Sequence, residues 1–334
     1  MKPGFAARWR ADREGLTAVA VLAVLLVLPL FVPSWQLLQL SKFFSYMLLA
    51  ASLAWVWGHC GLLCLGQGVF FGVGAYGMSV VTLGKLPFMP WLVSSWAGLA
   101  LGIGLAVLLA LLLGGLFFYA RGLGGAFFGI VTLAVAVIAE RVTINWDWLG
   151  GLNGLMNVPA LRAGLNGGEE ILDEAQGYYI ALGVLTVGVL ALLKVIRSTW
   201  GRTLLAIRNH ETRAQALGID ISKTKTLAFA LGAAVAALAG AMFVTQFNFA
   251  SPPLIGFAMS AEVLIWVALG GRASVVSAAL GALLIRLAES WLSEPLGDYW
   301  LLVLGGCFLL SVILAPAGVF GFVSRRPSPG ARQG

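Results

Sequence analysis

The chain has 334 residues, 60% of them hydrophobic and 10% charged, whereas a soluble domain runs roughly 45–50% apolar and about 25% charged. Its 21 Lys+Arg and 14 Asp+Glu are too few to cover a soluble globule of this size, and a mean hydropathy of +0.94 excludes a disordered chain. The apolar residues therefore face lipid, and the net charge of +7 is read as orientation in a bilayer rather than as affinity for nucleic acid.

A spanning helix needs about 20 mostly apolar residues, and runs of that kind predict ten helices in chain order. Leu16–Pro33 follows the basic start Lys2, Arg8, Arg10 and Arg13; without a small-x-small cleavage site after it, it reads as an uncleaved anchor. Next come Trp35–Trp57, Gly61–Leu83, Trp91–Tyr119, Gly124–Glu140, Tyr178–Ile196 and Leu227–Phe247. Phe257–Gly271 is short for a span and fits a re-entrant or broken helix equally, and Val275–Trp291 and Tyr299–Pro316 complete the set. The fold class is an all-α polytopic membrane protein of about ten transmembrane helices.

Ten crossings put both termini on one side. The N-terminus, Arg121, seven basic residues from Lys194 to Lys225, Arg272, and the tail with Arg325, Arg326 and Arg332 share that side. Between Glu140 and Gly177 on the other side, only Arg141 and Arg162 are basic. Lys and Arg concentrate in the cytoplasm, so both termini are expected there. The expected organisation is a cytoplasmic segment 1–15, a single transmembrane domain 16–317 with a periplasmic loop 141–177 and a cytoplasmic loop 197–226, and a cytoplasmic tail 318–334.

Cys60, Cys64 and Cys307 lie in apolar stretches, as buried thiols do, and His59 and His210 are the only histidines. No metal-ligand spacing is present, so neither a metal nor another cofactor is expected. GVGAYG at Gly72–Gly77 fits the nucleotide-binding G-x-G-x-x-G, and GLGGAFFG at Gly122–Gly129 has a similar look. The fingerprint needs a preceding strand and an acidic residue about 20 positions on, whereas Gly72 sits in an apolar span and position 92 is Leu92. Gly68-x-x-x-Gly72 instead suits close helix packing, with a second reading in which Gln67, Gly68 and Gly72 border a solute path.

Thr199–Ile219 has apolar residues at three-to-four spacing among Arg202, Arg208, Glu211 and Arg213, with Gly218 as a stop. It reads as a short amphipathic helix, either held on anionic headgroups or seated in a groove of a partner. At membrane depth, Arg286 and Glu289 are three apart and can pair. Glu262 has no partner nearby in sequence, so it caps a half-helix or sits in a gate. The acidic loop carries turn formers Gly150, Gly151, Asn153, Gly154 and Pro159 beside Trp146 and Trp148. At about 37 residues it exceeds a simple connector, and Asn153 joins Gln67, Gly68, Gly72 and Glu262 as candidates for the path or gate.

The strings GLLCLGQGVFFGVGAYG (Gly61–Gly77), GAFFGIVTLAVAVI (Gly125–Ile138), GGLNGL (Gly150–Leu155), GRTLLAIRNHETRAQALGI (Gly201–Ile219), LAFALGAAVAALAGAMF (Leu227–Phe243) and SAEVLIWVALGG (Ser260–Gly271) resemble, in order and spacing, the LivM-like permease of branched-chain amino-acid ABC importers. The likeness runs from about Leu38 to Phe322. It departs at Gly58-His59-Cys60, where the family usually has an aromatic, and IWVALGGR and DYWLLVLGG lean toward the urea or short-amide branch. The resemblance implies a bacterial inner-membrane importer subunit, two halves of opposite topology, a second similar permease, two ATPase subunits and a periplasmic binding protein. It also implies an ATPase-coupling segment in which Arg202, Ala206, Arg208, Glu211, Ala214, Leu217 and Gly218 occupy motif positions. The chain has no G-x-x-x-x-G-K-[ST] phosphate loop, so ATP hydrolysis is assigned to partners. An ion-coupled secondary transporter, which needs carboxylates near the midplane, is the more remote alternative.

Overall fold

In a computed structural model of the chain, the described residues are 5–86, 89, 93–119, 125–161, 174–299, 302–303, 305–306, 309 and 318–321. They form eleven α-helices: α1 (Phe5–Val27), α2 (Ser34–Leu53), α3 (Gln67–Thr82), α4 (Ser95–Gly114), α5 (Gly125–Ile144), α6 (Glu174–Arg197), α7 (Thr199–Asn209), α8 (Glu211–Ala216), α9 (Ile221–Phe247), α10 (Phe257–Gly270) and α11 (Val275–Leu296). Single π-turns extend α2 to His59 and α4 to Tyr119. Two short strands, β1 (Leu155–Met156) and β2 (Phe249–Ala250), pair antiparallel.

Six of these segments are long and apolar enough to cross a membrane, and Glu14–Leu30 and Phe257–Gly270 are shorter apolar helices. Of the expected tenth span, Tyr299–Pro316, six residues are described, and Leu302, Val303, Gly305, Gly306 and Leu309 among them are helical; the rest of it, with Cys307, Arg121, Arg162 and the basic tail, lies outside the described residues.

The bundle is built around α2, α3 and α9. The spanning stretches of α2 and α9 are each 78% buried, against 22% for Ser95–Tyr119 and 28% for Phe127–Ile144, and α3 is buried at every position but Val73, so these three are central while α4 and α5 present apolar faces outward. α9 packs on α2, α3 and α4, while α2 also meets α6 and α11. Gly232, Ala233, Ala236, Ala237 and Gly240 line the buried side of α9. A Cβ at Gly240 would run into the Phe71 carbonyl, and one at Gly74 into the Ala237 carbonyl. Helices approach this closely in lipid only where small residues remove the side-chain layer.

Gly61–Leu83 is not one helix. Residues 60–66 are non-helical, and α3 begins at Gln67. Gly61 has φ +74, which interrupts the helix after His59. The freed backbone is satisfied by protein: Leu62 N–H donates to the Val56 carbonyl (3.1 Å), Leu65 N–H to the Thr132 hydroxyl (3.0 Å) and Gly68 N–H to the Ser260 hydroxyl (3.0 Å). Non-helical chain is tolerated at membrane depth only when it is enclosed in this way. Gly68 packs against Ser260 and Gly256, and Gly72 against Ile255, so both glycines serve close packing.

Gly240→Val should disrupt the α3–α9 seam, costing about 1–3 kcal/mol or more, and should lower the thermal midpoint and the monodisperse yield in detergent. Gly104→Ala, where nothing lies within 4 Å, should leave both unchanged.

Candidate functional site

The segment predicted as one amphipathic helix is two. α7 starts at Ser198, whose hydroxyl accepts from Gly201 N–H at 3.2 Å, and ends where His210 takes φ −150 and ψ 89. α8 ends before Gly218, whose φ of +80 closes the turn. Leu204, Ile207 and Ala214 are buried, whereas Arg202, Ala206, Arg208, Glu211, Leu217 and Gly218 are exposed. Leu217 is 77% exposed, which leaves a large apolar side chain with no cover from this chain.

Three links fasten this pair to the bundle. Trp200 of α7 lies 5.9 Å from Trp55 of α2, whose indole N–H donates to the Ala228 carbonyl of α9 at 2.8 Å. The Arg208 guanidinium donates to the Gly58 carbonyl. Lys225 of α9 meets Glu211 of α8 at 2.7 Å. Gly58 also packs directly against the Arg272 carbonyl in the α10–α11 turn. The ends of α2 and α9 therefore hold α7 and α8, and the α10–α11 turn lies against that same end of α2. Of these partners, Trp55 and Trp200 carried no signal in sequence, because their contact crosses a long stretch of chain, and Lys225 stood out only as the last of the seven basic residues, not as the partner of Glu211.

A second group of polar residues sits inside the bundle. Arg286 lies eleven residues into α11, about 16 Å along its axis at 1.5 Å per residue. It contacts Glu262 at 2.7 Å and Glu289, and its guanidinium stacks over Tyr46 (4.0 Å to the centroid) and Trp266 (4.7 Å). The expected Arg286–Glu289 pair is present, and the partner that sequence could not supply for Glu262 is Arg286, 24 positions away. The side chains of Glu262 and Glu289 remain 37% and 32% exposed, Arg286 13%. Two carboxylates against one guanidinium at this depth do not suit a lipid-facing surface.

The five path candidates do not form one site. Gln67 is fully buried, its amide donating to Ser52 (2.9 Å) and the Gly232 carbonyl (3.3 Å), with Oε1 unpartnered. Gly68 touches α10 at Ser260, and Glu262, two residues on, turns about 200° around the helix toward α11. Asn153 is exposed near β1, far along the chain from both. Its loop is tied down by the β1–β2 pairing and by the Asn248 amide donating to the Val158 carbonyl at 2.9 Å. Glu140 places its carboxylate against Gly256, immediately before α10, where a negative charge favours the helix start.

Arg286→Met would strand two carboxylates. Removing one partner of a buried ion pair costs about 3–5 kcal/mol, and here, with both acids partly exposed, about 2–4 kcal/mol is expected in thermal unfolding. Replacing all three, as Glu262→Gln, Arg286→Met and Glu289→Gln, should restore most of that loss.

The chain matches, over residues 37–312, the family model described as branched-chain amino acid transport system / permease component. It is 28% identical to the high-affinity branched-chain amino acid transport system permease protein LivM of Salmonella typhimurium, covering 92% of this chain and 75% of the relative. It is 26% identical to LivH of the same organism, covering 83% and 91%. The autoinducer 2 import system permease protein LsrC of an Enterobacter species is 29% identical over 58% of this chain and 59% of its own length. No solved structure matches. This helical, multi-pass chain belongs to the family of permease components of branched-chain amino acid transport systems.

Proposed function

We propose that the chain is the membrane-spanning permease subunit of an ATP-driven importer in the bacterial inner membrane, carrying branched-chain amino acids or a similar small polar solute. It works with a second permease, two ATP-binding subunits and a periplasmic binding protein. The single observation that carries this reading is the α7–α8 pair, an amphipathic unit with Leu217 outward, joined to α2 and α9 and, through Gly58 at the end of α2, to the α10–α11 turn. A motor outside the membrane needs such a handle, because closure of the ATPases must be delivered to several spans together. The chain itself holds no phosphate loop of the G-x-x-x-x-G-K-[ST] type, so hydrolysis belongs to the partners. The branched-chain permeases LivM and LivH among its relatives support an amino-acid solute, and LsrC supports variation of solute on the same scaffold.

In this reading Arg202, Ala206, Arg208, Glu211, Ala214, Leu217 and Gly218 form the coupling unit. Ala214 packs inward to set its angle, Arg208 and Glu211 hold it to the bundle, and Arg202, Ala206, Leu217 and Gly218 meet the ATPase. Glu262, with Arg286 and Glu289, borders the solute path, since these charges need water or a polar partner at membrane depth. Gln67, Gly68 and Gly72 position α3 beside it, and Asn153 belongs to the surface that receives the binding protein.

Glu211→Lys removes the Lys225 pair and sets two ammonium groups together. Uptake in proteoliposomes containing the whole complex should fall about tenfold while ATP hydrolysis per complex stays within about twofold; undiminished uptake would remove α8 from the mechanism. Uptake driven by an ion gradient alone, without ATPase subunits, would overturn the reading itself.

The basic segment 197–226 is assigned to the cytoplasm and 141–177 to the periplasm, with both termini cytoplasmic. A periplasm-active reporter fused after Arg162 and a cytoplasm-active one after Arg213 should both give signal; the reverse pattern would invert the topology.

A further inference from the structure

Between the α7–α8 pair and the bundle lies a cavity of about 360 Å³ whose wall is polar. Trp57, Gly61, Arg208, Glu211, Lys225 and Arg272 line it. Its three cations come from three separate elements: Arg208 from α7, Lys225 from α9 and Arg272 from the α10–α11 turn. Glu211 is the one carboxylate among the lining residues, and it pairs with Lys225.

The charges are unequally placed. The Lys225 side chain is only 8% exposed, whereas that of Glu211 is 53% exposed. A buried ammonium loses most of its hydration, and a carboxylate half in water compensates it weakly. Arg272 lays its guanidinium over the Trp57 ring, 5.2 Å to the centroid, and among the described residues no carboxylate pairs with it. A stacked guanidinium keeps its N–H edge available for oxyanions.

We propose that this cavity binds a phosphate group, either free phosphate or the headgroup of an anionic phospholipid. Three cationic donors converging from different directions match an anion that offers several oxygens, and basic pockets at the ends of membrane helices hold lipid headgroups by the same chemistry. The volume accommodates a phosphate with its water or a phosphoglycerol headgroup. A bound phosphate ties α7, α9 and the α10–α11 turn together, so it stiffens the joint on which the proposed coupling depends. The binding itself rests on the cavity and its charges alone.

The test uses the full chain in phosphate-free maltoside micelles at low salt, by equilibrium dialysis against inorganic phosphate in one arm and a water-soluble short-chain phosphatidylglycerol in the other. Saturable binding that weakens as salt is raised is expected in at least one arm. Phosphate binding assigns free phosphate, and binding of the lipid alone assigns the headgroup. Arg272→Gln, which leaves the backbone contact with Gly58 in place, should weaken binding about tenfold or more, and Arg272→Lys should retain most of it. Absence of saturable binding by the unaltered chain in both arms overturns the proposal, as does a monodisperse Arg272→Gln variant that binds like the unaltered chain. The unaltered chain alone decides the matter should that variant fail to fold.

Discussion

Lipid is as apolar as leucine, so helices in a bilayer gain little from burying ordinary side chains against one another and associate where their backbones fit closely. α9 meets that condition along one side, where Ala237 and Gly240 let α3 come down onto its backbone at Gly74 and Phe71, and Gly232 lets α2 approach at Val56. The remaining arrangement depends on this seam. With α3 held from Gln67 onward, the chain from Cys60 to Gly66 need not be helical, since α5 and α10 supply the hydroxyls of Thr132 and Ser260 to its backbone and to the start of α3. That non-helical run begins where Arg208 reaches Gly58. The seam in the middle of the bundle thus leaves an irregular end for α7 to grip.

The spans were legible because length and apolarity are what a bilayer selects. α4, α6 and α11 begin or end within a few residues of the apolar runs, shifting mainly where helix persists beyond the hydrophobic stretch, as α9 does back to Ile221. The break inside Gly61–Leu83 was not legible. Gly61, Gly66, Gly68 and Gly72 look alike in an apolar run, and only the partners that approach them decide which one bends the chain and which ones pack. His210 divided the amphipathic segment for a similar reason. Its periodicity continues across the break, and what changes is the direction of the chain, set by the contacts of Arg208 and Glu211 on either side.

Charge behaved differently from apolarity. Arg286 and Glu289 share a helical face, so their pairing could be read from their spacing. The Glu262–Arg286 and Lys225–Glu211 contacts join different helices, and nothing in the spacing of 24 or 14 positions prescribes them. The aromatic setting was equally hidden, because Tyr46 and Trp266 become a stacking bed for Arg286 only when α2, α10 and α11 meet.

The two polar centres are joined by a short mechanical route. The α10–α11 turn sits against Gly58 at the joint, and the same two helices hold Glu262 and Arg286 further along. Gly270 and Gly281 pack backbone to backbone between the two positions, so α10 and α11 move there as a pair rather than sliding apart. A displacement of α7 and α8 that shifts the turn must also shift the Glu262–Arg286 contact or bend a helix. Bending is opposed by intact backbone hydrogen bonds in both helices, whereas Tyr46 on α2 holds the other side of the guanidinium. The strain of such a movement therefore falls on the charged cluster, where two partly exposed carboxylates can exchange Arg286 for water at lower cost than apolar packing can open.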